Sequence, residues 1–113
     1  MGFILDSKIA KKDLFSKCDI IFDDDFVKGV VDIKTKRLAI DAELHAELEA
    51  LFVAEGASNG DLWGINLYPS EDEKFVEFDS LINLKPSHNN RIRGISDPKI
   101  AKRVLDIVEL WII

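Results

Sequence analysis

The chain has 113 residues, 47% of them apolar and 32% charged, with a net charge of −6. That length and composition predict one globular domain with its own core and exclude a disordered chain. The 21 Asp and Glu against 15 Lys and Arg repel phosphate backbones at long range, so nucleic acid is not an expected partner.

The opening MGFILDSK has no basic n-region and no long apolar run, so no secretory signal is expected there. Phe3-Ile4-Leu5 reads as a short edge strand. Ser7 then offers an N-cap for a helix over Lys8 to Cys18, with Ala10, Leu14 and Cys18 on one side. Cys18 is the only cysteine, which excludes an internal disulfide and a multi-cysteine metal site and fits a reducing, cytoplasmic setting. Asp23-Asp24-Asp25 invites a calcium reading, but the glycine and terminal glutamate of an EF-hand loop are missing. The run reads as a solvated turn, and no metal or other cofactor is expected.

Phe26 to Ile33 alternates as a strand, with Val27, Val31 and Ile33 on one side and Lys28, Val30 and Asp32 on the other. Lys34-Thr35-Lys36 turns the chain, and Arg37 to Asp41 returns with Leu38 and Ile40 on the core side. Ala42 to Glu55 is the clearest helix, striped by Leu44, Leu48, Leu51 and Phe52, with Gly56 placed as its C-cap glycine. Trp63, Ile65 and Leu67 alternate along the next strand, which Pro69 ends. A polar turn follows, and Phe75 to Leu84 reads as the longest strand. Lys85 to Ser96 is loop. Asp97-Pro98 starts a last helix whose core stripe is Ile100, Val104, Ile107, Val108 and Trp111. The apolar run at its end is too short to span a bilayer, so no membrane contact is expected. The expected fold class is α+β: an antiparallel sheet of four to five strands with helices mainly on one face, in the order β-α-β-β-α-β-β-α.

The motifs LWGINLYP (Leu62 to Pro69), EFDSLIN (Glu77 to Asn83) and P-S-x-x-N-R-x-R-G (Pro86 to Gly94), with ELHAELEAL upstream, resemble an uncharacterised family of small prokaryotic proteins known only as a domain of unknown function. The resemblance covers the chain from about Phe26 to the last helix and departs at His88-Asn89 and Ile92. It implies no activity and no catalytic residue, so a site has to be read from the residues.

Three places hold candidate chemistry. If helices cover one face of the sheet, the other carries Lys28, Asp32, Arg37, Asp41, Asn66, Tyr68, Glu77, Asp79 and Asn83. That face is either solvated and cross-paired, or a dimer surface through Val30, Phe75 and Leu81, or a platform with Glu77 or Asp79 as general base. On the helix, Asp41, His45 and Glu49 would share a stripe if it began at Asp41. His45 is then either a salt-bridged surface histidine or a third catalytic candidate beside Glu77 and Asp79. In the loop, Arg91 and Arg93 suit an anion beside a helix start, with Asn66, Asn83 and Asn90 as orienting groups; equally, the arginines could pair with Glu77 or Asp79 and staple the loop.

No complete catalytic constellation is present, so whether the protein is an enzyme stays open. The first expectation is a non-catalytic interaction or structural protein that self-associates as a homodimer. The alternative is a binder of, or enzyme acting on, an anionic small molecule through the Arg91/Arg93 loop. An RNA-associated module ranks third, against the acidic charge.

Overall fold

A computed structural model of the protein describes residues 2–113. Five strands form one antiparallel sheet: β1 (Phe3–Ile4), β2 (Val27–Asp32), β3 (Arg37–Ile40), β4 (Leu62–Leu67) and β5 (Val76–Glu77). Their spatial order is β1-β3-β2-β4-β5. Two α-helices pack on this sheet, α1 (His45–Ala54) and α2 (Pro98–Trp111). The expected antiparallel α+β class is the one observed.

Strand alternation sorts the side chains into two clusters. Val27, Val31, Leu38, Ile40, Trp63, Ile65 and Leu67 point to one face, where Val104, Ile107 and Val108 of α2 cover them. Val30, Ala39 and Leu62 point to the other, where Leu48 and Phe52 of α1 cover them. The helices therefore lie on opposite faces rather than mainly on one. The reason is in β2 and β3, where the face read as open carries Val30 and Ala39, both fully buried. A continuous apolar strand has to be covered on both sides. Each large side chain buried here contributes roughly 2 kcal/mol.

Two expected elements take another form. Over Lys8 to Cys18 the chain makes two short 3-10 turns, Lys11–Asp13 and Phe15–Lys17, in place of a helix. Ile9 is held extended by the C-terminus: its N–H donates to the Trp111 carbonyl at 2.9 Å, and its carbonyl accepts from the Ile113 N–H at 2.9 Å. This bridge withdraws Ile9 from any helix and docks the apolar tail within the chain. The Trp111 indole N–H also donates inward, to the Lys36 carbonyl at 2.9 Å.

The run Phe75 to Leu84 is not one strand either. β5 pairs with β4 only at Asn66↔Glu77 and Leu67↔Val76. Beyond it, Ser80 leaves the ladder and its hydroxyl accepts from the Ile82 N–H at 3.3 Å, opening a 3-10 turn over Leu81–Asn83. Local hydroxyl-to-backbone bonding of this kind competes with strand pairing. The end of α1 and the start of α2 follow their sequence signals. Gly56 takes φ 97° after α1, and the Asp97 carboxylate accepts from the Lys99 N–H at 2.9 Å.

Candidate functional site

α1 starts later than its sequence suggests. Asp41 sits in the left-handed region at φ 76°, and Leu44 is still extended. Asp41 is fixed there by its own carboxylate, whose Oδ1 accepts from the N–H groups of Asp19 and Ile20 at 2.9 and 2.8 Å. The stripe of Asp41, His45 and Glu49 therefore does not form.

The cap position falls to Leu44, whose side chain has no acceptor. Glu47 turns back to accept from the Leu44 N–H at 3.0 Å. The N–H groups of His45 and Ala46 find no acceptor among the described residues. They stand at the positive end of the helix with unused donors.

This helix start forms one wall of a cleft of about 430 Å³. Leu44, His45 and Ala46 face Lys28 from β2, Asn66 from β4, the segment from Asp79 to Ile82, and Arg93. Phe26 closes one side, while Leu44 and Leu81 are largely exposed at its lining. The floor is thus polar and the rim apolar, as in many small-molecule sites.

His45 is buried, not exposed. Its Nε2 lies 2.8 Å from the Ile65 carbonyl oxygen. A carbonyl only accepts, so Nε2 carries the proton and neutral His45 keeps Nδ1 as an acceptor. Burial holds the imidazole pKa below its ordinary value, and the Lys28 charge adds to that; the Ile65 carbonyl, Asn66 and Asp79 work the other way. The imidazole is therefore neutral near pH 7, as a general base must be.

Asn66 lies beside it, 6% exposed. Its Nδ2 donates to Glu77 Oε1 at 2.9 Å. Its Oδ1 is buried and receives no hydrogen bond. With its single N–H given to Ile65, neutral His45 has no second proton to offer. Native structures seldom leave such an acceptor unmet.

The charged groups are divided. Arg93 Nε donates to Asp79 Oδ1 at 2.7 Å, and both side chains are about half exposed at the cleft. Lys28 Nζ donates to the Glu43 carbonyl at 2.8 Å and lies 4.6 Å from the centre of the Phe22 ring. Glu77 stays outside the cleft lining, accepting from Asn66 and, at 3.0 Å, from the Tyr68 hydroxyl. Burial and that bond push the Tyr68 phenol up to about 12. Arg91 is exposed and forms no ion pair among the described residues.

Asn83 and Asn90 are fully engaged elsewhere. Asn83 bonds both backbone groups of Gly64 and donates to the Arg93 carbonyl at 2.8 Å. Asn90 Nδ2 donates to the carbonyls of Asn83, Ile92 and Gly94, and its Oδ1 accepts from Ser96. These two carboxamides hold the loop onto β4. Of the residues singled out in the sequence, the fold brings His45, Asp79, Asn66 and Arg93 together and leaves Glu77, Arg91, Asn83 and Asn90 outside. The open backbone donors of His45 and Ala46 were not anticipated. Their signal was Leu44, an apolar residue where a capped helix carries Ser, Thr, Asp or Asn.

The fold and cleft define a small antiparallel α+β protein with helices on both faces and a polar-floored cleft at one helix start. The family described as a protein of unknown function (DUF5674) matches residues 3–111, and the chain belongs to it. No curated protein and no solved structure matches the chain. No helix among the described residues is long and apolar enough to cross a membrane.

Proposed function

We propose that the cleft binds a small anionic molecule and that His45 is its acid–base group. One observation carries this reading: the start of α1, with the N–H groups of His45 and Ala46 unbonded among the described residues, lines the same cleft as Lys28 and Arg93. Helix starts favour anions through their dipole and free donors, and nearby cations add to that. Asp79 orients Arg93 and stands as a second proton acceptor. The test is a thermal-shift screen with nucleotides, sugar phosphates and carboxylates. Binding by one class, lost in Lys28→Ala with Arg93→Ala, is the expected result. No shift with any of them, or a shift that survives both substitutions, overturns the proposal.

Self-association is the second reading, and it has lost two of its supports. Val30 is buried under α1, and the C-terminal tail docks on Ile9. What still favours it is the exposure of Leu81, Leu84 and Ile92 on one segment. A strict monomer in sedimentation at high concentration removes it. The one cysteine, buried and held as thiol, suits the cytoplasm, which is the proposed location.

A further inference from the structure

We infer that Asn59-Gly60, in the loop between α1 and β4, is a self-modification site, where Asn59 deamidates through a succinimide and His88 takes the proton. The inference stands apart from the cleft and does not depend on it.

Asparagine is thermolabile because its side-chain amide carbon can be attacked by the next peptide nitrogen. Three conditions favour that attack, and all three meet at Asn59. Its side chain is exposed and forms no hydrogen bond among the described residues. The following residue is glycine, with no side chain to block the approach. The Gly60 N–H is itself unbonded among the described residues. The other asparagines fail one condition or more. Asn66, Asn83 and Asn90 are buried, and each precedes a large side chain. Asn89 is exposed, but the Asn90 N–H that would have to attack it is bonded to the Lys85 carbonyl at 3.1 Å.

The fold also supplies a base. A Cβ built on Gly60 would lie 2.7 Å from His88 Nε2 and 2.8 Å from its Cε1, so the edge of the imidazole rests on the Gly60 backbone. By bond lengths, Nε2 is then within roughly 5 Å of the Gly60 nitrogen, a gap that one water spans. An imidazole is the side chain suited to taking a proton near neutral pH. The 3-10 turn over Asn59–Asp61 has to open for the nitrogen to reach the amide carbon. It is a single turn with no side-chain cap and a glycine at its centre, so local opening costs little.

The Gly60 nitrogen gives its proton to His88 and bonds to Asn59 Cγ. The Cγ–Nδ2 bond breaks, and Nδ2 leaves as ammonia with the proton returned by His88. Water then opens the ring at either carbonyl, giving aspartate or isoaspartate at position 59. Either product adds a negative charge just ahead of β4, the strand that brings Asn66 to the cleft. Isoaspartate also lengthens the main chain there by one carbon.

The experiment is peptide mass mapping of the full chain during incubation at 37 °C and pH 7.5, with the two acidic products separated by chromatography. Asn59 should convert to both, and faster than any other asparagine. His88→Ala should slow the conversion several-fold. Added imidazole should restore the rate in that variant while changing the native rate little, which a merely structural role for His88 does not predict. Absence of isoaspartate at position 59, or faster conversion elsewhere, overturns the site. An equal or higher rate in His88→Ala, or no rescue by imidazole, overturns the role of His88 and leaves an unassisted site.

Discussion

The carboxamide of Asn83 closes a two-point ring on the backbone of Gly64. Oδ1 accepts from the Gly64 N–H at 2.7 Å, and Nδ2 donates to the Gly64 carbonyl at 2.9 Å. A side chain here does the work of the strand peptide that β5 would have supplied had it continued. It allows the chain to leave the sheet at Asp79 and Ser80 and form the far wall of the cleft without stranding the polar groups of β4. Asn83→Ala removes these bonds and the one to the Arg93 carbonyl. Water entering the gap recovers part of the loss, so the expected destabilisation is about 3 kcal/mol in urea unfolding. Asn83→Asp should be no better, because it loses both donated bonds and buries a charge.

Gly64 itself is required by the same approach. A Cβ built there would lie 2.5 Å from Cβ and Oγ of Ser80 and 3.2 Å from Cδ2 of His45. Gly64→Ala should cost roughly 1–3 kcal/mol by overpacking. The cause is steric, so Ser80→Gly in the same chain should recover most of that loss. A double variant no better than the sum of its parts would place the strain elsewhere.

His45 makes stability depend on pH, with a definite sign. Its folded pKa lies below the unfolded value of 6.5. The unfolded chain therefore binds more protons in the window below about 6.5, and stability rises with pH there. The contribution is complete above the unfolded value and is lost as pH falls through the folded one. Lys28 and Asp79 are the charges that bear on the ring, and they act in opposite directions. Urea midpoints from pH 7.5 down to 5 should fall in the native chain and fall less in His45→Gln. Equal slopes in the two proteins would mean that another group carries the acid sensitivity.

Periodicity made most of the sheet legible. β2, β3 and β4 and the start of α2 stand where alternation, Pro69 and Asp97-Pro98 put them. Failures came where a few specific bonds outweighed the pattern. Ile9 looks like one turn of an amphipathic helix but is pulled straight by the chain end, a partner about a hundred residues away that no local window contains. Phe75 to Leu84 alternates like a strand, yet Ser80 and Asn83 bond the backbone and end it after two ladder pairs. His45 looked exposed because its neighbours in the chain are acidic; it is buried because the helix starts one turn later and aims the ring at Ile65. The arginines of the loop were visible, but sequence carried no sign of which one enters the cleft.

Arg93 and Arg91 should separate cleanly. The Arg93–Asp79 pair is about half exposed on both sides, so its coupling energy in a double-mutant cycle should stay below about 1 kcal/mol. Its effect on ligand should be larger: Arg93→Ala should weaken anion binding at least tenfold, and raising salt should weaken native binding in parallel. Arg91→Ala should leave both stability and binding unchanged, because that side chain is exposed and outside the cleft lining. Equal losses from the two substitutions would point to general charge attraction instead of a seated ligand.

Cys18 should be inert until the chain opens around it. Burial pushes its thiol up to about 12, and the charges of Asp41 and Asp19 push the same way. At pH 8 only roughly one thiol in ten thousand is then the reactive thiolate. Labelling by a disulfide reagent in the native protein should therefore be far slower than in urea. Asp41 contributes twice, through its charge and by holding the N–H groups of Asp19 and Ile20 next to the cysteine. Asp41→Asn keeps an acceptor and tolerates the left-handed backbone, so it removes chiefly the charge. Asp41→Ala removes the acceptor as well and strains the backbone. Labelling should be faster in Asp41→Asn than in the native chain and faster again in Asp41→Ala. If the two variants label alike, Asp41 protects the thiol through its charge and the bonds to Asp19 and Ile20 add nothing.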